Sequence, residues 1–124
     1  MIKNIILIAL GGALGSVCRY FFSLITIFGP SKMYINTLII NIVGCFLMGF
    51  LATIFLNKLN HNALTYLFLT GFCGGFTTFS TFAFENQKMM QTNQSLESFV
   101  YIILSVFLGI AFVFIGQKLA QYLV

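Results

Sequence analysis

The sequence predicts an all-α membrane protein of four transmembrane helices, the third of them broken. Three observations carry that prediction. The 124 residues are 60% hydrophobic, only 6% charged, and contain one proline, whereas soluble domains run nearer a quarter charged. Four apolar runs divide the chain, each longer than the ~20 residues that a helix needs to cross a ~30 Å hydrocarbon core. The third run carries two adjacent glycines followed by a cluster of hydroxyls, a poor recipe for a continuous helix in lipid.

Taken in order, the spans cover about 5–28, 34–56, 63–84 and 99–122, and the whole of 1–124 reads as one transmembrane domain. The first ends at the turn signal Gly29-Pro30-Ser31-Lys32. Lys3 ahead of an apolar stretch gives the N-terminus a faint signal-peptide look, but the run continues past Gly15-Ser16, so retention is expected. Gly11 and Gly15 lie on one face, a small-xxx-small pattern for close helix approach. Arg19 sits deep enough in the span to need protein or water around it. It either snorkels to the nearer interface or forms an electropositive vestibule.

The second span begins at Asn36-Thr37 and carries Asn41 and Gly44. A buried asparagine here is interhelical glue or an ion ligand. A polar patch, 57–62, leads into the third span and its segment Gly71-Phe72-Cys73-Gly74-Gly75-Phe76-Thr77-Thr78-Phe79-Ser80-Thr81-Phe82. A break is expected between Gly74 and Thr78. Carbonyls freed there, at membrane depth, need a cation or a second chain as partner. Phe79 and Phe82 share a face, as do Thr78 with Thr81 and Thr77 with Ser80. In the fourth span Tyr101, Ser105 and Gly109 recur at intervals of four, giving a narrow hydroxyl stripe.

Glu85 to Ser98 reads as the last and longest loop, with Glu85 and Glu97 at its ends and no carboxylate within a span. That pattern argues against a proton-driven carrier. Cys18, Cys45 and Cys73 read as small buried hydrophobes, since their spacing suits neither zinc nor a disulfide framework. The net charge of +4 comes from scattered residues, which gives no nucleic-acid footprint and suits lipid headgroups. No enzymatic triad or nucleotide motif is visible. Lys3, Lys58 and Lys118 fall on one side of the membrane, and Lys32 and Lys88 on the other. This near-even split predicts insertion in both orientations and antiparallel pairing.

These motifs resemble the CrcB/Fluc family of fluoride channels over nearly the whole length. The resemblance rests on Gly11-Gly12-Ala13-Leu14-Gly15 with Arg19-Tyr20, on Asn36-Thr37-Leu38 with Asn41 and Gly44, and most specifically on Gly71 through Phe82 followed by Glu85. It implies an antiparallel, dual-topology homodimer in a prokaryotic cell membrane that passively exports cytoplasmic fluoride. It also implies a structural sodium ion at the dimer centre on the carbonyls of Gly74 and Thr77. In that scheme Phe79 and Phe82 face fluoride and Asn41 donates to it, while Ser80, Thr81, Tyr101 and Ser105 are candidate pore hydroxyls. Gly109 stands where some relatives carry a further serine, which would shorten the polar track. Two rivals remain in view, a four-helix multidrug exporter, which should carry a membrane-embedded glutamate, and a non-transporting accessory protein.

Overall fold

The computed structural model describes residues 1–25, 28–58 and 62–123, and among these every regular element is helical. Helix α1 spans Ile2–Ser23 and α2 spans Met33–Lys58. Between them, Gly29 adopts φ 81°, a left-handed conformation that glycine takes at little cost, and opens a short 3-10 turn, Pro30–Lys32. The Asn36 amide donates to the Ile25 carbonyl at 2.9 Å and fastens the end of this link to α2. The first span was expected to run to Phe28, but its helix stops at Ser23, whose hydroxyl bonds back to the Tyr20 carbonyl at 2.6 Å. Ser/Thr back-bonding of this kind competes with the helical ladder.

The third membrane segment is built in pieces. Asn62–Leu64, Thr65–Cys73 and Gly74–Phe76 make α3, and the middle piece is wound wide, with π-type pairing. Helix α4, Phe79–Gln91, follows after the break. The glycines themselves stay helical, with Gly74 at φ −63°. The chain leaves the helical conformation at Thr77 (φ −78°, ψ 157°) and Thr78 (φ −147°, ψ 115°). Hydroxyls account for both ends of the interruption. Thr77 Oγ1 donates to the Cys73 carbonyl at 2.9 Å and closes α3, while Thr78 Oγ1 accepts from the Thr81 N–H at 3.3 Å and caps α4.

Helix α5, Ser95–Leu123, completes the bundle. It packs along α2, and α1 packs along α3. Gly11 and Gly15 make the second of these contacts possible. A methyl group on Gly11 would overlap the Leu67 carbonyl, and one on Gly15 would overlap the Phe72 carbonyl. Four stretches, Ile2–Ser23, Pro30–Phe55, Thr65–Gln91 and Ser95–Leu123, are long and apolar enough to cross a membrane.

The loop expected from Glu85 to Ser98 is largely absent. Helix α4 continues to Gln91, α5 begins at Ser95, and the link is a tight turn with Asn93 at φ 59°. Two of the polar residues that looked like a solvated loop, Asn86 and Ser98, are instead paired within the bundle, while most of the others stay exposed. Asn86 donates to the Phe82 carbonyl at 2.8 Å and accepts from the buried Ser98 hydroxyl at 2.7 Å. Lys88, expected in that loop, lies in the last turn of α4. The cysteines are free thiols, but only Cys73 is fully buried; Cys18 and Cys45 are half-buried.

Candidate functional site

The site grows out of the interruption between α3 and α4. The break leaves the Thr78 N–H without a ladder partner, and a buried N–H left so is costly, while the Thr78 carbonyl stands at the N-cap of α4. Asn41 on α2 pairs with both groups. Thr78 N–H donates to Asn41 Oδ1 at 2.8 Å, and Asn41 Nδ2 donates to the Thr78 carbonyl at 3.1 Å. The second Asn41 amide hydrogen has no acceptor among the described residues. Around this pairing Thr78 Oγ1 also donates to Thr81 Oγ1 at 2.9 Å and lies 3.5 Å from Ser80 Oγ. Asn41, Ser80 and Thr81 therefore meet at the N-terminus of α4.

Arg19 reaches the same point from α1. It is half-buried, and its Nη1 points at the Thr77 carbonyl from 3.5 Å, the long limit for a hydrogen bond. A cleft of about 320 Å³ opens here, lined by Ser16, Arg19, Tyr20, Thr37, Thr78 and Thr81 among others. It combines one fixed positive charge with several hydroxyls, a lining that attracts a small anion.

A row of rings leads away from the break. Phe79 and Phe82 lie 5.7 Å apart between centroids, and Phe82 meets Tyr101 edge-on at 5.0 Å and 68°. Phe79 is 79% exposed and points out of the bundle, whereas Phe82 is half-buried. Tyr101 is 2% exposed. One turn further along α5 is Ser105, whose buried hydroxyl oxygen has no hydrogen-bond partner among the described residues. A buried hydroxyl left without a partner is uncommon, and it lies one helical turn from Tyr101.

One member of the cluster was not foreseen. Glu85 lies inside the third membrane segment, and Thr37 Oγ1 donates to its Oε1 at 2.8 Å while Tyr101 OH donates to its Oε2 at 2.9 Å. The expectation that Glu85 opens a loop is therefore wrong: it stands on α4, in a helix long and apolar enough to cross a membrane. Its basis was the density of polar residues after Phe84, which read as a loop. The partners come from α2 and α5, far off in sequence, so no local spacing could have disclosed them. The Glu85–Thr37–Tyr101 junction joins three helices beside Phe82.

The residues expected to hold a cation are also placed by the break. Gly74 is exposed, and a methyl group added to it would meet nothing within 4 Å. Nothing among the described residues requires a glycine there. Thr77 has its side chain turned back to Cys73, leaving its carbonyl directed at Arg19. That oxygen faces a guanidinium at the long limit of a hydrogen bond, and neutral carbonyls are ligands of hard cations in general.

Three relatives align with nearly the whole chain, and each is named a fluoride-specific ion channel, FluC. The protein from Gloeothece citriformis is 45% identical over 120 residues, 95% of this chain and 97% of its own. That from Flavobacterium psychrophilum is 44% identical over 124 residues, covering 98% and 99%. That from Ignicoccus hospitalis is 40% identical over 124 residues, covering 98% of each. The family described as CrcB-like protein, Camphor Resistance, matches residues 6–117. With four spanning helices and a match of that length, this chain is a multi-pass membrane protein and belongs to the CrcB family.

Proposed function

We propose that this chain is a subunit of a fluoride-selective passive anion channel that lowers cytoplasmic fluoride. The observation that carries the reading is the row Phe79–Phe82–Tyr101, with the Ser105 hydroxyl one helical turn past Tyr101 and without a partner among the described residues, in a chain 45% identical to a protein named for that activity. Fluoride is small and strongly hydrated, so it needs replacement donors along its path. Tyrosine, serine and threonine hydroxyls and the free Asn41 hydrogen can donate. Phenyl edges add weak attraction without a full charge, and conduction needs binding that is favourable yet reversible. Arg19 supplies a positive potential at the cleft. Neutral hydrofluoric acid that enters a cell ionises in a near-neutral cytoplasm, so an inside-negative potential drives the anion out. No enzymatic step is involved.

The working unit in this reading is an antiparallel homodimer with dual topology. The exposed Phe79 ring, the open space at Gly74 and the balanced lysines support it. A sodium ion between the subunits would be held by the Gly74 and Thr77 carbonyls and would fix the two breaks against each other, with Arg19 giving up its long contact to Thr77. Expression in a fluoride-sensitive host tests the reading. Restored growth in fluoride at acidic external pH is expected; continued sensitivity, with the protein present in the membrane, counts against it.

Glu85 keeps a second reading in play, since a carboxylate within a membrane helix is what a proton-coupled transporter requires. Both its oxygens are occupied by hydroxyl donors, which favours a role in holding those hydroxyls in place.

A further inference from the structure

Beyond Glu85 the bundle opens again. A cleft of about 460 Å³ is bounded by the Pro30–Lys32 turn, the end of α4 and the turn into α5, and its lining includes Tyr34, Thr81, Phe84, Glu85 and Lys88. Thr81 lines this cleft and the Arg19 cleft alike, so the two flank one stretch of α4. Within the larger cleft the charged groups are Glu85 and Lys88. Glu85 turns its oxygens to Thr37 and Tyr101. Lys88, one turn on, is exposed, and its ammonium has no ion-pair partner among the described residues. It also stands in the last turn of α4, where the helix dipole favours a cation.

We propose that Lys88 is the charge that gathers fluoride at this second opening, a positioning residue that never enters the narrow part of the path. The inference rests on the channel reading above. A unit charge about 8 Å from the ion path in water raises the local concentration of a monovalent anion about twofold, and salt removes the effect. Lys88 thus complements Arg19: one guards the cleft at the break and the other the cleft past Glu85. No binding pocket for a retained ion is needed, only a field.

The test is unitary fluoride conductance in planar bilayers, with fluoride held constant and an impermeant salt setting the ionic strength. At about 0.01 M, where the Debye length is about 30 Å, Lys88→Gln should conduct about half as well as wild type, and Lys88→Arg should match it. At about 1 M, with a Debye length of about 3 Å, all three should agree. A loss of equal size at both salt levels would mean that Lys88 acts by packing, and no loss at either would mean that it does nothing. Both results overturn the proposal. If wild type itself fails to conduct fluoride, the channel reading falls first, and that outcome is distinguishable because it precedes any comparison of variants.

Discussion

Asn41 holds both backbone groups of Thr78, accepting from its N–H at 2.8 Å and donating to its carbonyl at 3.1 Å. This single side chain supplies the acceptor that the Thr78 N–H loses at the break and adds a donor to the carbonyl that caps α4. Asn41→Ala should leave the Thr78 N–H buried and unpaired, lowering unfolding stability in detergent by about 1–3 kcal/mol and abolishing flux. Asn41→Asp keeps the acceptor for the Thr78 N–H but sets a carboxylate against its carbonyl and beside an anion path. It should be closer to wild type in stability than Asn41→Ala, yet just as inactive. An alanine variant as stable and active as wild type would show that the pairing is incidental.

The Glu85 junction predicts coupling between residues from different helices. Thr37→Val and Tyr101→Phe each remove one donor from the carboxylate, at about 1–3 kcal/mol per charged hydrogen bond. Because both act through one group, the double variant should not be additive, with an interaction of at least about 0.5 kcal/mol by thermal or denaturant unfolding. Strict additivity would mean that the two hydroxyls do not share Glu85.

Phe79 and Phe82 should separate stability from transport. Isoleucine keeps apolar bulk and removes the ring quadrupole. Phe79→Ile changes a ring that is 79% exposed in the single chain, so the subunit should fold as before. Phe82→Ile also loses the edge contact with Tyr101, at about 0.5–1.5 kcal/mol. Fluoride flux from proteoliposomes should fall at least tenfold in both, with the size-exclusion profile unchanged. Undiminished flux in both variants would rule out ring-edge conduction.

Gly74 should matter only once two subunits meet. Nothing among the described residues opposes a side chain there, so Gly74→Val should insert and fold. In the proposed dimer it would crowd the neighbouring break and its cation. The dimer fraction in detergent should therefore fall sharply for the variant, and for wild type when sodium is replaced by a bulky organic cation. A dimer indifferent to both changes would remove sodium from the account.

Much of this architecture was legible in the sequence because lipid imposes simple rules. Four apolar runs gave four spans, and Gly74 to Thr78 bracketed the break. Its detail was less legible. The hydroxyls of Thr77 and Thr78 end the helices while Gly74 and Gly75 stay helical, since tertiary packing overrides the weak helix propensity of glycine. The wide winding of Thr65–Cys73 left no local mark. Glu85 and Asn86 were misread as loop because polarity alone does not reveal whether a partner waits on another helix. Asn41 was read as glue or ligand, and its pairing with Thr78 shows the first of these without excluding the second.

The central claim is a passive, electrogenic path for fluoride, and efflux from proteoliposomes tests it most directly. Vesicles loaded with potassium fluoride and diluted into fluoride-free, potassium-free buffer at equal pH are followed with a fluoride electrode. Efflux should wait for valinomycin, which relieves the charge that departing fluoride leaves behind, and should be unchanged by a protonophore added after it. Chloride-loaded vesicles should release little. Fluoride release that needs an imposed proton gradient would assign Glu85 to proton coupling, and the absence of release under every condition would contradict a channel altogether.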